Sequence, residues 1–180
     1  IGTWSSGGSL NNAYSQRAGG GIQTSAICAG GLASPSTSPR TRGETELYNG
    51  STWTESGDLN TDRRYVAGAG SVNTAALAIG GYTTNYVGVV ESFNGSSWTE
   101  ITDLNTSRAT YAQAAGTQTA AMTMGGNNPS NIALAEIWNG STWTEVNDMN
   151  TARSQAAAGG VTTDAIVFGG ATSPEAQTEI

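Results

Sequence analysis

ESFNGSSWTE occupies residues 91–100, and the chain repeats it with small changes as ELYNGSTWTE at 46–55 and EIWNGSTWTE at 136–145. The copies start at 46, 91 and 136, a period of 45 residues. Asn-Gly between two runs rich in β-branched and aromatic residues is the strongest short hairpin signal, because a type I′ turn needs positive φ at both central positions. One phrase at one fixed period predicts the same hairpin three times over, inside a repeated unit.

The rest of the unit follows from the phrase. Ten residues after Trp53, Trp98 and Trp143 stand Arg63, Arg108 and Arg153, reached through DLNTDR, DLNTSR and DMNTAR. A run of small residues comes next, then an apolar run closed by a glycine pair: AALAIGG, AAMTMGG and DAIVFGG. A variable stretch leads to Glu91, Glu136 and Glu179. A worn copy sits at the start, where GTWSSGGSLNNAY sets Trp4, Leu10 and Tyr14 at the offsets of Trp53, Leu59 and Arg63, and SAICAGG leads on to Glu46. Residues 1–180 are therefore read as one domain of four repeats, about 2–49, 50–94, 95–139 and 140–180. Each repeat predicts four short strands: the small-residue run, the apolar run, the segment ending at the aromatic after Glu, and the segment holding Trp. Tandem four-stranded units of this length predict an all-β propeller.

The order of landmarks resembles the kelch repeat: apolar run, glycine pair, an aromatic two residues after Glu (Tyr48, Phe93, Trp138), Trp five further on, then a loop and Arg. The Thr-, Asn- and Gly-rich dialect is similar to kelch-like repeats of bacteriophage virion proteins and bacterial surface proteins. The resemblance implies a β-propeller of four kelch-like blades. The chain opens in a fourth strand at Trp4 and stops in a third at 178–180, so a blade shared by the two termini is expected to close the ring. The alternative is one piece of a larger ring, and Ile1 in place of Met is read as processing or excision from something longer.

Composition narrows the function. Charged residues make up 12 % of the chain, there is no Lys or His, and seven Arg face 14 acids for a net charge of −7. A phosphate backbone needs clustered cations, so nucleic acid is excluded as a partner. No apolar run approaches the ~20 residues that cross a bilayer, so no membrane partner is expected. One cysteine, Cys28, forms no internal disulfide framework. Without His there is no Ser-His or Cys-His pair and no imidazole metal ligand. No enzyme activity, cofactor or metal is expected. Galactose oxidase shares the architecture, but its copper site needs His.

Residues present in every repeat are read as architecture. The Trp set (4, 53, 98, 143) is expected to pack blade on blade, and the Arg and Glu sets to form fixed pairs or hydrogen bonds to backbone within the ring. Asp58, Asp103 and Asp148, two before Asn60, Asn105 and Asn150, are read as turn formers rather than Ca²⁺ ligands. Cys28, in the place of Ala78, Thr123 and Val167, is read as an inert thiol. Asn49, Asn94, Asn105 and Asn139 fall in Asn-x-Ser sequons, three of which are the hairpin turns themselves.

Binding is expected where the repeats differ. In a four-stranded meander the loops after strands two and four share one face, and there lie 32–45, 82–90, 127–135 and 171–178. Single-copy residues of those loops are the ligand-binding candidates: Arg40, Arg42, Tyr82, Tyr86, Asn127, Asn128 and Asn131. The reading favoured is a non-enzymatic binding or structural module that recognises a glycan or protein surface, in a virion tail or capsid appendage or at an extracellular surface. Other virion proteins or further copies of itself are candidate partners. The alternatives are a carbohydrate-active enzyme using loop acids among Glu44, Asp62 and Glu175, and a cytoplasmic kelch adaptor for a protein partner.

Overall fold

Every element of the computed structural model, which describes residues 3–111, 113–171 and 176–180, is a β-strand. Blade 1 comprises β1 (Ala18–Ile22), β2 (Ser25–Leu32), β3 (Thr41–Tyr48) and β4 (Trp53–Ser56). Blade 2 holds β5 (Ala67–Val72), β6 (Ala75–Tyr82), β7 (Tyr86–Phe93) and β8 (Trp98–Glu100). Blade 3 holds β9 (Ala114–Gly116), β10 (Ala121–Met124), β11 (Ala135–Trp138) and β12 (Trp143–Val146). Blade 4 has β13 (Ala157–Val161), β14 (Asp164–Phe168) and β15 (Thr178–Glu179). All pairings are antiparallel and sequential within a blade. The sheets form a four-bladed β-propeller whose innermost strands touch in the series β1, β5, β9, β13.

Small residues at the innermost strands allow that approach. A Cβ on Gly68 would stand 2.3 Å from the Gly19 carbonyl oxygen of the neighbouring blade. In blades 1 and 2 the glycine pair bulges the second strand: Gly30 and Gly80 have φ of 67° and 59°, and the register shifts at both positions. Pairing then resumes, so Tyr82 lies opposite Tyr86 and Gly31 opposite Arg42. Arg42, Tyr82 and Tyr86 therefore belong to strands, which corrects the loop bounds expected from sequence.

The hairpin phrase folds differently in detail. Tyr48 pairs with Trp53, leaving residues 49–52 as a four-residue loop. Gly50 carries the positive φ of 97°, while the Asn49 side-chain oxygen accepts the N–H groups of Ser51 and Thr52 at 2.9 Å. An Asx turn replaces the expected two-residue type I′ turn, because the carboxamide satisfies both amides without a second left-handed residue.

The core lies between blades. From blade 2, Ala76, Ala78, Phe93 and Trp98 pack against Ile27 and Ala29 of blade 1, with Leu59 from the connection between them. Trp138 and Trp143 pack likewise on Leu77, Ile79 and Leu104. Trp98 Nε1–H also donates to Thr45 Oγ1 of blade 1 at 2.9 Å. Between blades 3 and 4 the cluster is formed by Met124, Ala135, Ala156 and Val167 and holds no aromatic.

The shared terminal blade is not formed among the described residues. β15 pairs with β14, blade 4 has three strands, and Trp4 belongs to no strand and is fully exposed. Trp4 thus departs from the packing role expected of the Trp set. Ile1 and Gly2, at the expected seam, lie outside the described residues.

Candidate functional site

The connections between blades are held by one recurring device. In blade 2 the Arg63 guanidinium pairs with Glu91 and donates to the carbonyls of Gly80 and Ala78 at 3.0 and 3.1 Å. Asn60 donates from its N and Nδ2 to the other Glu91 oxygen, both at 2.7 Å. Arg108, Asn105 and Glu136 repeat the arrangement in blade 3, and Arg153, Asn150 and Glu179 in blade 4. The Asp-x-Asn segments are therefore more than local turns, since Asn reaches into the third strand of the next blade.

In the first unit the cation is Arg17, at 2.9 Å from Glu46, with Asn11 donating to the same carboxylate at 2.6 and 3.0 Å. Sequence reasoning missed Arg17, because Tyr14 occupies the Arg offset. The signal was its spacing of 29 residues from Glu46, against 28 for Arg63–Glu91. Burial pushes the Glu46 carboxyl up, but hydrogen bonds from Arg17, Asn11 and Asn12 outweigh it and hold the group below the usual carboxylate range. Every described member of this set is structural.

The face of the variable loops carries something else. Gln16, Tyr65, Tyr111 and Gln155 stand at one repeated position before each inner strand, and all four have left-handed φ, between 53° and 62°. Non-glycine residues seldom adopt this conformation, and four at one repeat position mark a built feature. Backbone hydrogen bonds link the first three in sequence: Tyr65 N donates to Gln16 O at 3.1 Å, and Tyr111 N to Tyr65 O at 2.8 Å.

This geometry gathers tyrosines. The Tyr65 ring lies 4.6 Å from that of Tyr111 and 6.5 Å from Tyr82, and Tyr82 is edge-on to Tyr86 at 5.3 Å. The Arg64 guanidinium lies 5.2 Å from the Tyr65 ring centre and 4.9 Å from that of Tyr82. Tyr86 donates its hydroxyl to Asn127 Oδ1 at 2.7 Å, Asn127 contacts Asn131 at 3.4 Å, and Asn131 donates to Ala171 O at 3.1 Å. Burial pushes the Tyr111 phenol up, with Tyr65 and Tyr86 adding to it. The four rings are half-buried, so flat apolar area and polar edges face solvent together.

Four of the candidate residues, Tyr82, Tyr86, Asn127 and Asn131, thus meet in one network across blades 2 and 3. Asn128 is exposed and donates to Ser107 O at 2.6 Å. Arg40 and Arg42 sit apart on blade 1. Arg40 is exposed beside Tyr14, Leu32 and Pro35, and Arg42 Nε is 4.0 Å from Glu44, its guanidinium 5.9 Å from the Tyr14 ring. Arg64, Tyr65 and Tyr111 were missed because their assembly depends on a left-handed backbone that no local residue type announces. Residues 172–175 of the fourth loop, Glu175 among them, lie outside the described residues.

Two other expected roles have a geometry. Cys28 is half-buried, and desolvation pushes its thiol up to about 11 despite Arg17 nearby. Among the described residues, no three of Cys, Asp and Glu converge as metal ligands would. No family model matches the chain, and no curated protein matches it.

Proposed function

We propose that this propeller is a non-enzymatic binding module whose recognition surface is the tyrosine–arginine cluster on the variable-loop face. The observation that carries the reading is the Tyr65, Tyr82, Tyr86 and Tyr111 cluster with Arg64 against two of its rings. Half-exposed phenol rings offer flat area at low conformational cost, and the guanidinium offers paired donors for carboxylates. Asn127 and Asn131 add amide donors and acceptors at the edge. That combination suits a glycan, including one with acidic sugars, or a polar protein surface. The kelch-like order of landmarks and the phage-like dialect support placing such a module on a virion appendage or an extracellular surface. A glycan array and a host-cell binding assay test the reading. Tyr82→Ala with Tyr86→Ala is expected to abolish binding, while Ser51→Ala, Ser96→Ala and Ser141→Ala on the Asn-Gly face leave it unchanged. Loss only in the second set, with both variants folded, puts the site on the wrong face.

A further inference from the structure

The tyrosine–arginine surface contains one cation that the repeat does not require. Ser15, Arg64, Ala109 and Ser154 occupy one repeated position. Each carbonyl accepts the N–H of the residue after a glycine pair: Leu32, Tyr82, Asn127 and Ala171 donate at 2.7, 2.8, 3.0 and 2.9 Å. Ser15, Ala109 and Ser154 are small, so this position holds its backbone bond without a long side chain. Arg64 is a single-copy residue at a place that architecture leaves open, which is where a repeated scaffold carries its binding groups.

The electrostatic setting of Arg64 is incomplete. Arg17, Arg42, Arg63, Arg108 and Arg153 each have a carboxylate within 4.0 Å, whereas Arg40 and Arg64 have none among the described residues. Arg40 is exposed, and water serves as its partner. Arg64 is half-buried, and its Nε is enclosed without a hydrogen-bond partner. A cation drawn out of water is ordinarily matched by a counter-charge. Here the guanidinium is flanked instead by the Tyr65 and Tyr82 rings, at 5.2 and 4.9 Å from their centres, which hold its planar fork in place. The groups that act on the neighbouring Tyr111 phenol are Tyr65, Tyr86, Gln155 and Arg64, with no carboxylate among them. In a chain with 14 acids and seven arginines, a patch with a held cation and no acid beside it is set to receive an anion.

We propose, on the footing that this surface is the binding site, that it takes a glycan through a carboxylated sugar unit, a uronic or sialic acid, whose carboxylate pairs with Arg64. A planar carboxylate matches two parallel N–H donors of a guanidinium, a geometry that a neutral sugar cannot use. A pyranose ring joins an apolar face of C–H groups to a rim of hydroxyls. The half-buried rings of Tyr82 and Tyr86, edge-on at 5.3 Å, offer that face flat apolar area. Asn127, Asn128 and Asn131 supply carboxamides for the hydroxyl rim. An acidic peptide brings the charge without such a ring face, so the gathered tyrosines favour the sugar.

The test compares polysialic acid, hyaluronan, alginate and polygalacturonate with the same polymers after carboxyl reduction, which turns each carboxylate into a primary alcohol and leaves the rings intact. The chain is expected to bind one or more of the carboxylated polymers, and reduction to weaken that binding about 10–100-fold. Arg64→Gln is expected to lower binding of the carboxylated polymer by the same factor. Arg40→Gln, which removes the same charge from blade 1, should not. Circular dichroism checks that both variants fold, and the comparison of polymers on the parent chain needs no variant. Equal affinity for carboxylated and reduced forms, still lost with Tyr82→Ala and Tyr86→Ala, overturns the carboxylate and leaves the binding surface standing. An equal loss with Arg40→Gln makes the effect one of bulk charge and also overturns it. Binding to dextran sulfate alone, or to polyglutamate alone, replaces the carboxylated sugar by another anion. Absence of binding to every polymer and across the glycan array overturns both the carboxylated sugar and the glycan-binding surface.

Discussion

Arg63 and Glu91, 28 positions apart, form an ion pair with both side chains fully buried. The pair ties the connection leaving blade 1 to the third strand of blade 2, and the Asn60 bonds and the Gly80 and Ala78 carbonyls complete it. Desolvation lowers the Arg63 pKa, and the Glu91 charge opposes that. A buried charge with its partner removed is costly, so Arg63→Ala is expected to cost about 3–5 kcal/mol. Arg63→Met with Glu91→Met should recover much of it, as replacement of both charges often does. Chemical denaturation of the two variants decides; equal losses would show that the pair itself carries the stability.

Acid should open the connections. The Glu46 and Glu179 carboxyls are both held below their ordinary 4.5, through Arg17 with Asn11 and through Asn150 with Arg153. A depressed carboxyl stabilises the fold above its unfolded pKa, and that contribution is lost as pH falls through the folded value. The thermal midpoint is expected to hold from neutrality to about pH 5 and to fall below pH 4.5. A midpoint that rises on acidification in this window would contradict the assignment.

Cys28, with its thiol near 11, carries almost no thiolate at neutral pH. The native chain should react with iodoacetamide far more slowly than the unfolded chain in urea. Equal rates would place the thiol in a different setting.

Gly19 and Gly68 hold the same position in successive repeats but have different surroundings. A Cβ on Gly68 meets Gly19 backbone at 2.3 Å, whereas one on Gly19 meets nothing within 4 Å. Gly68→Ala is expected to destabilise by about 1–3 kcal/mol. Gly19→Ala should stay within about 0.5 kcal/mol of the parent. Similar losses at both sites would mean that blade 1 has a neighbour on its outer side.

Much of the site is legible only after folding. Tyr82, Tyr86, Asn127 and Asn131 are readable as single-copy residues of the variable stretches, and they do meet. Tyr65 and Tyr111 sit in the small-residue lead-in to the inner strands, where the repeat predicts architecture. Their rings come together because the left-handed backbone at that position turns them toward one another. Arg40 and Arg42 share the variable stretches but stand on another blade, a separation that spacing along the chain does not encode.

The sequence by itself determined the repeat, its four-stranded unit and the strand order, because a period of 45 with Asn-Gly, Trp and glycine pairs at fixed offsets imposes local rules that every copy obeys. It also carried the Arg and Glu partners, since a buried charge at a repeated offset needs a repeated counter-charge. The tertiary structure alone decided which copies are buried. Trp98 and Trp143 are packed between blades while Trp4, in the same phrase position, is fully exposed. The reason is that the core of a propeller lies between its blades, so the burial of any residue depends on a neighbour about 45 positions away rather than on the residues beside it.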